Sequence, residues 1–333
     1  MGILGQYRHA RRSSELISLG MNVSMRDRKN KQFALLIASL LLGALVSTYA
    51  NAQESFKLGA DTCGGECHEA ELEIWQESPH QQSFDKFDDP DDELTAKIDK
   101  ILAAVGSDDM TESPVCTNCH FTMVQEAADE DPYADSGPSC ESCHGAGSEF
   151  KDIHSDQDVA YDGRMANAEK LGMIRPTMKF DIAQNCNDCH AMARPEVDGE
   201  TIDKMVSAGH PIKPDFELVR YSQGAVRHRF YEPDTTVNAK MTKPELAHLF
   251  VEGQLAQYLA AHKSLSKSSN SDYKAVMQTR KNNAKTGLGP VPGSQAFLDN
   301  PSSEAARALL KTLKGLDLSD KVGASLPSED SYK

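Results

Sequence analysis

The residues of this chain best suited to chemistry are its eight cysteines, which fall into four close pairs, each followed at once by a histidine. The segments are CGGECH from Cys63 to His68, CTNCH from Cys116 to His120, CESCH from Cys140 to His144 and CNDCH from Cys186 to His190. Cys-x-x-Cys-His is the attachment signal of c-type haem. The reaction sets the spacing: two thiols on one helical turn add across the two vinyl groups on one porphyrin edge, and the adjacent His then lies under the iron as proximal ligand. Other uses of paired Cys fit less well. Exported proteins join Cys as disulfides, but no Cys here lies outside the motifs. Structural zinc rarely needs His directly after every second Cys, and a thioredoxin-like pair would be single and close to a βαβ pattern. The expectation is four covalently attached haems c, held by Cys63, Cys67, Cys116, Cys119, Cys140, Cys143, Cys186 and Cys189, with His68, His120, His144 and His190 bound to iron. The first motif is wider, with Gly64, Gly65 and Glu66 between its thiols. Its Gly pair is expected to take backbone angles that other residues avoid, so that the extra residue bulges and the thiols keep their reach.

Iron with both axial positions filled needs a second histidine. Beyond the leader and the proximal set, the sequence offers His80, His154, His210, His228, His248 and His262. His80 sits in WQESPHQQSF, where Ser78 can cap a helix and Pro79 can take its first position, giving the imidazole a fixed direction. His154 follows the third motif closely enough to swing onto a neighbouring haem. His210 lies in SAGHPI, a turn biased away from helix by Pro211. These three are expected sixth ligands. His248 and His262 share one amphipathic helix and read as surface residues. His228 stands between Arg227 and Arg229, so this stretch could ligate iron or neutralise haem propionates.

The elements that position these groups read as helical. DELTAKIDKILAAVG places Leu94, Ile98, Ile101, Leu102 and Val105 on one face, with Gly106 as a stop. Pro244 to His262 reads as a long helix, Ser271 to Lys285 as a second, and Glu304 to Leu313 as a third, with GLGPVPG breaking the last two apart. Alternating strand patterns are scarce, and the acidic runs Asp88–Glu93 and Asp129–Asp135 read as solvated loops. The expected fold is mainly α with little β structure, a multihaem c-type cytochrome whose core is packed with haem. Composition agrees: the apolar fraction is 39%, aromatics are 6% and there is one Trp in 333 residues, too little to fill a core with side chains alone. Porphyrins are large apolar plates whose burial would supply the remainder.

The first residues address the compartment. MRDRKNKQ from Met25, the apolar run Phe33 to Val46 and Ala50-Asn51-Ala52 follow the basic, apolar and Ala-x-Ala order of a secretory signal peptide. The run is too short to span a bilayer comfortably. The expected organisation is a leader and extension over 1–52 with cleavage near Ala52, a tetrahaem domain over 53–233, and a helical C-terminal subdomain and tail over 234–333. The mature chain is expected in the periplasm without a membrane span. The net charge of −15 argues against nucleic acid as a partner and for redox proteins with basic docking patches.

The order of CxxCH, Trp-x-x-Ser-Pro-His, CxxCH, CESCHGAGSE with a His shortly after, CxxCH and Ala-Gly-His-Pro resembles the tetrahaem cytochrome c-554 family. The resemblance covers about Cys63 to His228, with a weaker echo at Val251-Glu252-Gly253-Gln254. It implies a soluble periplasmic electron carrier whose closely packed haems include stacked pairs, similar to the haem core of hydroxylamine-oxidising and nitrite-reducing enzymes. Carried over, it sets His80 on the haem of His144, His154 on that of His68 and His210 on that of His190, and leaves the haem of His120 five-coordinate. The wide first spacer and the additional His228 depart from the simplest pattern, so His228 could close that site.

The leading functional expectation is a non-enzymatic relay of single electrons through mostly bis-His haems, since filled axial sites permit a change of oxidation state without substrate at iron. A second is a reductase of a small nitrogen or sulfur oxide at one open haem. A third is a subunit of a cytochrome filament, with a ligand His supplied by the next chain.

Overall fold

The computed structural model describes residues 55–333, which cluster as one unit. The expected leader and its cleavage point near Ala52 lie outside the described residues. The structure is mainly helical. The second and third motifs lie on short helices, and the first starts on one and runs past its end. These are α1 (Ala60–Gly64), α5 (Pro114–His120) and α6 (Cys140–His144), while the fourth occupies the last turn of the longer α9 (Lys179–His190). Between the first two motifs run α2 (Glu69–Gln76), α3 (Pro79–Asp88) and α4 (Asp92–Val105). The apolar face read from the sequence is the one α4 turns inward: Leu102 is buried, and Leu94, Ile98, Ile101 and Val105 are partly so. Asp91 caps its start, accepting from the Leu94 amide at 2.8 Å, and Gly106 ends it at φ +77°.

Two short strands, β1 (Thr122–Val124) and β2 (Tyr133–Ser136), pair antiparallel after the second motif. The second acidic run is thus partly loop and partly strand. The Thr122 hydroxyl explains why the pair sits there. It donates to the Gly137 carbonyl at 2.7 Å and accepts from the Ser139 amide at 3.0 Å, tying the hairpin to the start of the third motif. α7 (Lys151–Ser155) and α8 (Tyr161–Lys170) follow the third motif, and α10 (Gly199–Ser207) and α11 (Leu218–Ser222) follow the fourth.

The C-terminal segment is a helical hairpin, α12 (Lys243–Lys267) against α13 (Ser271–Leu288), continued by α14 (Ser294–Asp299), α15 (Ser303–Leu313) and α16 (Ser319–Val322). A capping box sets the start of α12: Glu245 reaches back to the Thr242 amide at 2.7 Å. α12 is buried around most of its circumference, as expected of a helix at the centre of a core. It packs on α9, so Phe180, Ala183 and Cys186 join Phe250, Leu255 and Leu288 in one apolar cluster. A second cluster gathers Ala191 to Ala193, Ile202 and Met205 with Tyr273 and Met277. Both clusters draw their buried members from Phe180 onward.

Candidate haem sites

Histidine rings from distant parts of the chain meet in four pairs. Centroids of His68 and His154 lie 6.4 Å apart with planes 12° from parallel, those of His120 and His210 6.0 Å apart at 62°, those of His144 and His228 6.3 Å apart at 80°, and those of His190 and His80 6.2 Å apart at 48°. Imidazole nitrogens bind metals at about 2 Å, so two rings ligating one ion from opposite sides stand about 6 Å apart, centroid to centroid. Each pair holds one motif His and one of the four candidate sixth ligands. His248 and His262 stand apart: His248 bonds the Leu316 carbonyl at 2.8 Å, and His262 stacks on Tyr258.

This pairing differs from the one implied by the c-554 resemblance. His154 does face His68. His80, however, meets His190 and not His144, His210 meets His120 and not His190, and His228 meets His144. The site at His120, implied to be open, has an imidazole against it. Helix direction accounts for His80: Pro79 opens α3 as the sequence indicated, and the helix continues to Phe84 and Phe87, which pack edge-on around Phe121 and His120. The expected cap at Ser78 is absent; its hydroxyl is buried and makes no hydrogen bond.

The ring nitrogens are oriented for ligation. Nδ1 of His144 lies 2.7 Å from the Ile174 carbonyl, that of His228 2.7 Å from Val226, that of His210 3.1 Å from Pro211 and that of His154 3.2 Å from Phe150. A carbonyl can only accept, so Nδ1 carries the proton and Nε2 presents its lone pair. Burial favours the neutral form of five rings, His80, His120, His144, His190 and His210. It holds His80, His144 and His210 below the usual imidazole range and, with repulsion from His210, sets His120 at about 4. For His190 burial together with His80 and Arg280 gives about 3. His190 nevertheless keeps accessible surface. Among the described residues no group of three or more His, Cys, Asp and Glu converges on one point. Each pair therefore offers two imidazole donors, which would suit haem, whose porphyrin would bring the remaining donors, and not structural zinc.

None of the eight Cys is joined in a disulfide. Thiols of different motifs are neighbours: Cys63 of Cys140, Cys186 of Cys143 and Cys119 of Cys189. The contacts put the motifs in the spatial order second, fourth, third, first. The wide first motif is built otherwise than expected. Gly65 has ordinary helical angles, φ −61° and ψ −26°, and Gly64 is not among the glycines with positive φ. What Gly64 provides is absence of a side chain, because a Cβ there would lie 2.4 Å from Leu72 Cβ. Cys67 falls beyond the end of α1, so its two thiols do not share one helical turn.

Several supporting residues escaped the sequence reading. Glu141, inside the third motif, is buried and accepts from the amides of Leu58, Gly59 and Gly147 at 2.7–3.0 Å. Burial outweighs those bonds and raises its carboxyl above the usual range. Arg280, fully buried on α13, donates to the His190 carbonyl and to Asn187 Oδ1, each at 2.7 Å. Tyr273, also on α13, donates to the Ala191 carbonyl at 2.5 Å. Phe216 stacks on His190 at 4.5 Å and 20°, with the Arg280 guanidinium 5.2 Å from its centroid. The available signal was a cation inside the stripe Tyr273, Met277, Arg280, Ala284, Leu288, which has helical apolar spacing.

Residues 62–145, which include the first three motifs, match the family model described as cytochrome c554 and c-prime. The chain is also 23% identical over 227 residues to cytochrome c-554 of Nitrosomonas europaea, an alignment covering 60% of this chain and 94% of that protein. No solved structure matches. Both relationships are to c-type cytochromes, and with them come covalently bound haem c, a role in electron transfer and redox proteins as partners. No helix among the described residues is long and apolar enough to cross a membrane.

Proposed function

We propose that this chain is a periplasmic tetrahaem cytochrome relaying single electrons through four bis-His haems, a reading supported by its similarity to cytochromes c-554. The observation that carries this reading is the set of four imidazole pairs, each at 6.0–6.4 Å and each completed within one chain. Cys63 and Cys67, Cys116 and Cys119, Cys140 and Cys143, and Cys186 and Cys189 would hold the porphyrins. His68 with His154, His120 with His210, His144 with His228, and His190 with His80 would hold the irons. Haem bound so supplies reversible one-electron exchange at iron. The protein's part is to keep it to that. Two imidazoles per site would leave water and small oxides no free position at the iron they hold. Nδ1–H bonds to the carbonyls of Ile174, Val226, Pro211 and Phe150 fix ring orientation and raise the basicity of Nε2, which favours the higher oxidation state. The thiol contacts that link the second motif to the fourth, the fourth to the third and the third to the first favour one continuous path, whose terminal sites lie at the second and first motifs.

The acidic balance, −15 over the chain, would steer it to basic patches on redox partners, with association slowed by salt. The basic, apolar and Ala-x-Ala order of residues 25–52 supports export and cleavage near Ala52. Pairs completed within one chain favour a discrete carrier over a filament subunit. Mass spectrometry of the mature protein should give four haems on a chain beginning near Gln53, and its ferric EPR spectrum should be low-spin throughout. A high-spin ferric haem that binds cyanide would overturn the closed relay and favour the reductase reading.

A further inference from the structure

We propose that Arg280 is a positioning and tuning residue for the fourth haem, and that its buried charge raises the midpoint potential of that haem. The inference rests on the tetrahaem reading and concerns the site of His190. Four observations converge on it. Arg280 is a fully buried cation, and among the described residues no carboxylate hydrogen-bonds to it, Asp215 acting on it through space alone. Its two terminal nitrogens instead hold the last carbonyl of the motif helix and the Asn187 side chain, one turn before His190. Its flat face lies over Phe216, whose ring stacks directly on His190. Its Nε is buried and makes no hydrogen bond.

An unpaired buried guanidinium is costly, and a chain that retains one has placed a fixed positive charge in a medium of low dielectric. The compensation visible here is dipolar: the C-terminal end of α9 carries partial negative charge, and cations are favoured there. The same charge acts on whatever is bound at His190. Reduction of ferric iron to ferrous adds one electron and lowers the charge of the site by one. A nearby cation favours the state of lower charge, so Arg280 favours the reduced form. Guanidinium suits the position because it stays ionised where an ammonium would lose its proton, and because its fork meets the His190 carbonyl and Asn187 together. The arginine reaches the proximal imidazole through the motif backbone and through Phe216. It therefore fixes the ring as well as the field around it, and its influence falls on one haem of four.

The test is a spectroelectrochemical titration of the mature holoprotein, comparing wild type with Arg280→Gln and Asn187→Asp. Wild type should titrate as four low-spin haems; a different count with the His190 haem present removes the tetrahaem reading and not this one. R280Q should move one midpoint downward and leave three in place, with all haems still attached and low-spin. Unchanged midpoints in R280Q would overturn the proposal, as would equal shifts of all four. Should R280Q fail to retain haem, N187D decides, because a carboxylate there keeps the acceptor for Arg280 and offsets its charge. One midpoint should then fall and three stay in place; unchanged midpoints in N187D would overturn the charge argument.

Discussion

Substitution of His210 by Ala examines the feature on which carrier and reductase part. In the structure the His210 ring is the group facing His120 at 6.0 Å, and no other candidate His stands against that ring. Phe87 approaches His120 only edge-on at 5.2 Å and carries no donor atom. Removing the imidazole should leave one iron in four with a vacant axial position, so about a quarter of the low-spin ferric intensity should convert to high-spin. Burial, the larger of the two causes that lower the His120 pKa, persists when His210 is removed, so the ring still favours its neutral form. His228→Ala should open a different site, that of His144, and with the sites independent the double variant should convert about half of the intensity. The assay is EPR with optical spectra near the Soret band, with and without cyanide, on protein shown by mass to carry its full haem complement. Added imidazole should return H210A to the low-spin state. The reasoning is refuted if H210A stays fully low-spin, or if H210A and H228A together convert no more intensity than either alone.

Three further outcomes are expected. Tyr273→Phe removes the donor to the Ala191 carbonyl and should cost about 1–3 kcal/mol, read by denaturant unfolding of the holoprotein. Glu141→Ala strands the amides of Leu58, Gly59 and Gly147, and should lower the thermal midpoint more than Glu141→Gln, which keeps an acceptor oxygen. Asp203 joins α10 to the turn between α12 and α13. Desolvation works to raise its carboxyl, but hydrogen bonds from Ser268, Ser269 and Asn270 prevail and bring it down to about 2. A depressed carboxyl stabilises above its unfolded pKa of about 4 and loses that contribution as pH falls through about 2. Acid titration of Asp203→Asn should therefore show a shallower loss of stability across that window than wild type.

What the sequence disclosed follows from how local each signal is. α4 was legible because the spacing of Leu94 to Val105 and the stop at Gly106 act within a few residues, although its Asp91 cap went unread. The hairpin of α12 and α13 was legible for the same reason, although the helices extend past the expected Pro244, His262 and Lys285 to Lys243, Lys267 and Leu288. The strands β1 and β2 were not. They are three and four residues long, and the Thr122 bonds that hold them point to Gly137 and Ser139 outside the strands.

The imidazole pairing belongs to a different class of fact. Sequence can say which histidines are available, because caps, turns and neighbours mark them. It cannot say which two meet, because that depends on how α3, α7 and the loops at His210 and His228 lie across the motif helices. A family resemblance supplied one pairing, and the structure retains only its first member, His68 with His154. The others change together, and the change has a logic. If His80 turns to His190, His144 is left for His228 and His120 for His210, so reassigning one ligand closes the site that the resemblance left open. On the proposed reading, function depends less on the motifs than on two side chains outside the matched residues 62–145, His210 and His228. A relay and a reductase can share every Cys-x-x-Cys-His and differ in whether a loop delivers one more imidazole.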